Sequence, residues 1–220
     1  MKNVLRMRIG EDVWISDGSE KEYHCTIEEF QEDSAVLHIL YAQESQYELP
    51  SRIYLFQGLP KGDKMELIIQ KMTELGVYRI VPVSMKRSVV KLDKKKADSK
   101  VKRWNMISES AAKQSKRSII PEIMPVCTFN EALEMSQQLD VKLLPYECAD
   151  GMAKTKKIIE NLKGNESIGI FIGPEGGYDL DELSKAKEEG WEEITLGKRI
   201  LRTETAGMML MSVLMYMNEK

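Results

Sequence analysis

Residues 53–83 read IYLFQGLPKGDKMELIIQKMTELGVYRIVPV. Ile53 to Gln57 is a compact apolar run of strand length, and Gly58 to Gly62 is rich in turn residues. Met65, Ile68, Ile69, Met72 and Leu75 then recur at helical spacing. Asp63, with Glu66 three residues on, is expected to cap this helix, and Gly76 to stop it. A second apolar strand is expected over Arg79 to Val83. Strand, helix and strand of these lengths make a βαβ unit with parallel strands.

The alternation continues downstream. A basic helix is expected from about Ala97 to Lys116, with Ala97, Val101, Trp104, Ile107 and Ala111 on one face, and Thr128-Phe129-Asn130-Glu131 reads as a capping box. Val141 to Tyr146 reads as a strand, followed by a helix around Lys154 to Leu162. Ser167 to Ile172 is the next apolar strand, and Asp179 and Glu182 cap a helix to Glu189. A last strand, Glu192 to Leu196, precedes a closing helix from about Glu204 to Met217. Residues 52–220 are thus an α/β domain, a mostly parallel sheet with helices on both faces. Upstream, the β-prone runs Val13 to Ile15, Tyr23 to Ile27 and Ala35 to Tyr41 are separated by turn residues such as Asp17-Gly18. They indicate a small β module over residues 1–51.

The closing helix is apolar nearly all round, through Met208, Met209, Leu210, Met211, Val213, Leu214, Met215, Tyr216 and Met217. Such a helix is expected to be buried on every side. One side can pack on the sheet and the other on a second copy, so a homodimer is expected.

The chain has 220 residues, 42% hydrophobic and 30% charged, which excludes disordered and fibrous classes. Its net charge of −3 hides an asymmetry: residues 86–117 hold twelve Lys or Arg against three acids. A cationic block inside an otherwise acidic chain concentrates potential where a polyanion can be attracted. Three cysteines, Cys25, Cys127 and Cys148, lie far apart without a CxxC pair, and only His24 and His38 are available. Disulfide frameworks, metal sites and histidine-base chemistry therefore lack material, and a reducing cytoplasm is expected. Neither a signal peptide nor a membrane-spanning run is present in the pattern, so no membrane association is expected.

In open α/β sheets ligands bind beyond the carboxyl ends of strands. Three loops occupy such positions: Pro145-Tyr146-Glu147, Gly173-Pro174-Glu175-Gly176-Gly177-Tyr178, and the run from Gly197 to Ala206. Neither GxGxxG after a first strand nor GxxxxGK[ST] occurs, so dinucleotide and nucleoside-triphosphate readings lose their main support. The glycines of the second loop let backbone approach a ligand closely. The third places Arg199, Arg202 and Glu204 beside an apolar helix, an arrangement that suggests a site, although Glu204 also suits the first turn of a helix on dipole grounds alone.

QGLPKGDKMELIIQKMTELGV (57–77), ESAAKQSKR (109–117), FIGPEGGY (171–178) and LGKRILRTETA (196–206) together resemble the RsmE family of ribosomal RNA uridine-N3 methyltransferases, within the SPOUT superfamily. The resemblance implies S-adenosylmethionine as cofactor and methylation of ring nitrogen N3 of a uridine in 16S, small-subunit, ribosomal RNA. It also implies a homodimer, a SPOUT-type α/β domain with a trefoil knot, and a PUA-like β-barrel domain ahead of it. The segment matching Val4 to Arg8 normally follows further strand, so the β domain is expected to be shortened at its amino terminus.

Carried over by position, the resemblance assigns the cofactor to Leu144, Pro145 and Tyr146, to Ile172, Gly173, Gly176 and Gly177, and to Leu196, Gly197, Ile200, Leu201 and Ala206. Uracil N3 bears a proton and is a weak nucleophile, so a base or a stabiliser of the anion is required. Arg202 is expected to stabilise the anion or its flanking phosphate, and Glu175 to act as base. Arg6, Arg8, Arg87, Lys91 and Arg117 are expected to contact RNA, which must present the base unpaired or flipped. Two other readings remain open: another SPOUT activity, on a ribose 2′-oxygen or a transfer RNA, and a noncatalytic RNA-binding protein.

Overall fold

The computed structural model describes residues 6–18, 21–149 and 151–219. Met1–Glu48 with Lys116–Ile120 form one unit, and Leu49–Ser115 with Pro121–Lys220 the other. In the first, β1 (Asp12–Ser16), β2 (Lys21–Phe30) and β3 (Ala35–Glu44) make a three-stranded antiparallel sheet in that order. The PUA-like module is thus, among the described residues, a sheet whose one face buries Cys25 and Ile27. Of the segment 4–8, residues 4 and 5 lie outside the described residues, and Arg6 to Arg8 is irregular rather than strand.

The second unit begins with the expected βαβ: β4 (Arg52–Gly58), α1 (Lys64–Glu74) and β5 (Arg79–Ser84). Asp63 is the residue before α1, but its side chain makes no capping hydrogen bond. Glu66, the expected capping partner, instead pairs with Arg103 at 2.8 Å. Next comes α2 (Lys94–Gln114), which starts three residues earlier than its apolar pattern suggested because Asp93 accepts a hydrogen bond from the Lys96 N–H. Two two-residue strands, β6 (Glu122–Ile123) and β7 (Cys127–Thr128), are too short to leave a periodic signature.

The rest follows the sequence reading. The elements are α3 (Phe129–Met135), β8 (Val141–Pro145), α4 (Met152–Glu160), β9 (Ser167–Ile172), α5 (Leu180–Glu188), β10 (Glu192–Ile194) and α6 (Thr203–Asn218). Both capping boxes form, Thr128 with Glu131 and Asp179 with Glu182. The seven strands pair in parallel in the order β10-β8-β9-β4-β5-β6, with β7 also on β5.

Period-two alternation divides the core. Ile53 and Leu55 of β4 join Ile68, Ile69, Met72, Trp104, Ile159, Leu210 and Leu214 on the face covered by α1, α2, α4 and α6. Phe56 faces the other way, with Val81, Phe129, Phe171, Leu183 and Trp191 beneath α3 and α5.

Within one chain, helix α6 packs by one side only. It is buried along a single stripe, Thr203, Gly207, Leu210, Met211, Leu214 and Asn218. Its other side is half-exposed to open, and Tyr216 is 79% and Met217 48% exposed. At Gly207 the stripe lies against Ile172 and Leu55, at distances where even a Cβ would make only ordinary contact.

Candidate active site

Strands β10, β8 and β9 are neighbours and parallel, so their carboxyl ends, and the loops that leave them, gather at one place. Between those loops lies a cavity of about 560 Å³, within the roughly 300–1,000 Å³ of small-molecule sites. Its wall includes Pro145, which ends β8, and Tyr146 after it, Ile172, which ends β9, with Gly173, Gly176 and Gly177 after it, and Leu196, Gly197, Ile200, Leu201 and Ala206 beyond β10. Of the residues assigned to the cofactor, Leu144 alone is not on the wall: it is fully buried one position before it. Arg202 and Glu175 also line the cavity.

The loop after β9 is shaped by close approach. A Cβ on Gly176 would lie 2.8 Å from the Arg87 carbonyl oxygen, and one on Gly173 would lie 3.3 Å from the Tyr178 ring. Side chains at either position would push these walls apart. The Tyr178 ring is buried and its hydroxyl donates to the Phe171 carbonyl at 2.5 Å. Burial pushes this phenol far above its ordinary value, so it remains a donor.

Hydrogen bonds tie the third loop to the second. Thr203 Oγ1 donates to the Gly173 carbonyl at 2.7 Å and accepts from Gln57 Nε2 at 2.9 Å. Gln57 is fully buried, at the end of an otherwise apolar strand. A polar residue inside such a strand was the signal in the sequence that could have found it.

Arg202 precedes α6 with extended backbone, φ −67° and ψ 154°. It is exposed on the cavity wall, and no hydrogen bond or ion pair of its guanidinium is found among the described residues. Glu175 is placed differently from what proton abstraction requires. Its carboxylate accepts from the Lys61 N–H at 3.1 and 3.2 Å and from Lys64 Nζ at 2.8 Å. Burial raises its pKa, but the Lys64 ammonium and these backbone donors outweigh burial and hold it below the ordinary carboxylate range. The expectation that Glu175 is the base is therefore corrected: it is an ionised anchor with both oxygens engaged. Lys64, on the cavity wall, was missed because a lysine in the first turn of an amphipathic helix reads as ordinary surface.

The residues expected to meet RNA divide. Arg6, Arg8 and Lys91 are exposed. Arg87 is half-exposed on the cavity rim, with its guanidinium 3.4 Å from the Gly176 carbonyl and 4.0 Å from Asp179. Arg117 is a correction. Its side chain is 3% exposed and its Nε donates to Glu48 Oε2 at 3.1 Å, while the Ser118 and Ile119 N–H groups bond Glu48 Oε1. That guanidinium is engaged inside the amino-terminal unit and is not offered to a phosphate.

A family profile described as an RNA methyltransferase domain matches residues 47–215, and one described as an RNA methyltransferase PUA domain matches residues 1–40. The chain is 37% identical over 220 residues to the ribosomal RNA small subunit methyltransferase E of Bacillus subtilis (strain 168), covering 99% of this chain and 86% of that one. Among solved structures it is similar to the ribosomal RNA small subunit methyltransferase E of Neisseria gonorrhoeae bound to S-adenosylmethionine, with TM-score 0.79, 34% identity and coverage of 97% and 86%. A methyltransferase of Legionella pneumophila in complex with the same cofactor gives TM-score 0.80, 31% identity and coverage of 97% and 86%.

Proposed function

The chain belongs to the ribosomal RNA small subunit methyltransferase E family and is an S-adenosylmethionine-dependent rRNA methyltransferase, and from that premise we propose that it methylates N3 of a uridine in 16S rRNA, using the cavity at the ends of β8, β9 and β10. The observation that carries the proposal is the coincidence, on one wall, of eleven of the twelve residues assigned to the cofactor.

The cavity suits this cofactor. Ile172, Leu196, Ile200, Leu201 and Ala206 offer an apolar slot for a nucleobase, and at Gly173 and Gly176 the loop packs too closely on the Tyr178 ring and the Arg87 backbone to admit a Cβ, which fixes the shape of the wall. When bound, S-adenosylmethionine supplies a methyl carbon made electrophilic by a positively charged sulfur. The chain's own contribution is to orient and to set charge, and orientation alone accounts for roughly 7–11 kcal/mol of barrier in well-aligned reactions.

Arg202 is the proposed stabiliser of the uracil anion. Its guanidinium is not paired off by a neighbour among the described residues, so it is available to hydrogen-bond the carbonyl oxygens flanking N3. Cationic donors there would lower the proton affinity of N3, so that its proton leaves to water and the nitrogen is freed to act as nucleophile. Arg87 and Arg199, also on the wall, suit the phosphates flanking a flipped nucleotide.

The proposed partner is rRNA of the small ribosomal subunit, met in the cytoplasm. No helix among the described residues is long and apolar enough to cross a membrane. We propose a homodimer through the half-exposed side of α6, and the trefoil knot implied by the resemblance, with α6 returning across the sheet to pack on α1 and β9.

The test is incubation of the purified protein with labelled S-adenosylmethionine and small subunits from cells lacking the enzyme, followed by nucleoside analysis. Label in N3-methyluridine is expected. Label in a 2′-O-methylated nucleoside or only in added transfer RNA supports a different SPOUT target. No label, with S-adenosylmethionine unbound, supports the noncatalytic reading.

A further inference from the structure

We infer that Lys64 is a positioning residue of the cofactor cavity, its ammonium fixing the distance between the loop after β9 and the first turn of α6 through Glu175 and Glu204. The inference rests on the reading of this cavity as the S-adenosylmethionine site.

Three segments far apart in the chain meet at this amine. Lys64 Nζ lies 2.8 Å from Glu175 Oε1 and 3.4 Å from Glu204 Oε2. The three side chains are 29%, 31% and 14% exposed, so the cluster is sheltered from water but not sealed. Glu204 Oε2 is buried and has no hydrogen-bond partner, which leaves the lysine charge as what compensates it. Among the described residues no second cation lies at ion-pair distance from either carboxylate.

The two carboxylates belong to the two segments that form most of the cavity wall. Glu175 sits between Pro174 and Gly176, and Glu204 between Thr203 and the residues leading to Ala206. The Thr203 to Gly173 hydrogen bond is the neutral tie between these segments, and Lys64 is the ionic one. Taking away the ammonium leaves two carboxylates, each within 3.4 Å of its former place, without a compensating cation in a partly desolvated setting, and like charges there repel. The loop and the helix turn are then driven apart and the slot between them widens. Lys64 acts through these carboxylates, so restoring the charge balance by another route should restore the slot.

The experiment is calorimetric titration of S-adenosylmethionine into the full chain and its variants, with steady-state kinetics on small subunits alongside. Lys64→Met is expected to weaken cofactor binding and raise the KM for S-adenosylmethionine at least tenfold while the KM for rRNA stays within threefold. Lys64→Arg, whose guanidinium can meet both carboxylates, is expected to stay within threefold of wild type. Lys64→Met with Glu204→Gln, which removes the repulsion, is expected to bind more tightly than Lys64→Met alone. Wild-type affinity in Lys64→Met overturns the inference. A double variant no better than the single also overturns it, because that result means direct contact between the amine and the ligand. Failure of the wild-type chain to bind S-adenosylmethionine overturns instead the reading of the cavity, and the inference with it.

Discussion

Arg202 and Glu175 entered as a pair of candidate catalytic side chains and part company once their surroundings are known. Arg202 presents to the cavity a guanidinium without a partner among the described residues, whereas Glu175 is engaged by Lys61 and Lys64. Arg202→Ala is expected to lower kcat by about 10²-fold or more, the usual consequence of losing one donor to a developing anion. Its Kd for S-adenosylmethionine should stay within about threefold, since the proposed cofactor site is made of loop backbone and apolar side chains. Single-turnover kinetics and calorimetry check the two halves, and a wild-type rate removes Arg202 from the mechanism. Gly176→Val is expected to weaken cofactor binding about tenfold or more. The added carbons meet the Arg87 carbonyl, and the loop must shift. Unchanged affinity would mean that this loop is only a turn.

At the scale of elements, polar side chains fix where strands and helices begin. Asp140 Oδ2 accepts from the Ser167 N–H at 2.9 Å and from its hydroxyl at 2.6 Å, joining the starts of β8 and β9. The Ser167 hydroxyl, then its N–H, hold the Asp140 carboxyl below its ordinary value of 3.8. A depressed carboxylate stabilises the folded chain above its unfolded value and loses that effect as pH falls through the folded one. Asp140→Asn is therefore expected to melt below wild type at neutral pH, by an amount that shrinks as pH drops past 3.8. Thermal scans across that window decide it, and a pH-independent difference would mean that charge plays no part. Helix α6 is the second case. The proposed dimer requires its outer side, so Met209→Asp is expected to give monomers in sedimentation experiments, and an unchanged mass would place any interface elsewhere.

Across the whole molecule, charge is distributed unevenly between the two units. Residues 1–48 and 116–120 hold six basic against eleven acidic side chains, so the surplus of positive charge lies in the other unit. Much of it is on α2, whose first turn carries Lys94, Lys95 and Lys96 and no acid. Cations at a helix amino terminus oppose the helix dipole, so their presence there is better matched to an external polyanion than to helix stability. Lys116–Ile120 belongs with the amino-terminal unit through Glu48. Arg117→Met is expected to destabilise that unit by about 3–5 kcal/mol, because it leaves the Glu48 carboxylate buried without its cation. Denaturant unfolding measures this, and a loss below about 1 kcal/mol would show that the pair is only a surface contact.

The βαβ alternation, both capping boxes and the three loops that line the cavity were legible in the sequence, because each depends on residues within a few positions of one another. Periodicity sets which face of a strand or helix is apolar, and glycine and capping residues set where it ends. The twelve cofactor residues came from the resemblance and not from local signals, and eleven of them line the cavity because parallel neighbouring strands bring their following loops together. What only the tertiary structure decided involves partners distant in the chain. Lys64 meets Glu175 across 111 residues, and Arg117 meets Glu48 across 69. A charge read singly looks like solvated surface. Whether it is an anchor, a ligand contact or an exposed cation depends on what folding sets within about 4 Å of it, and on how far that place is removed from water.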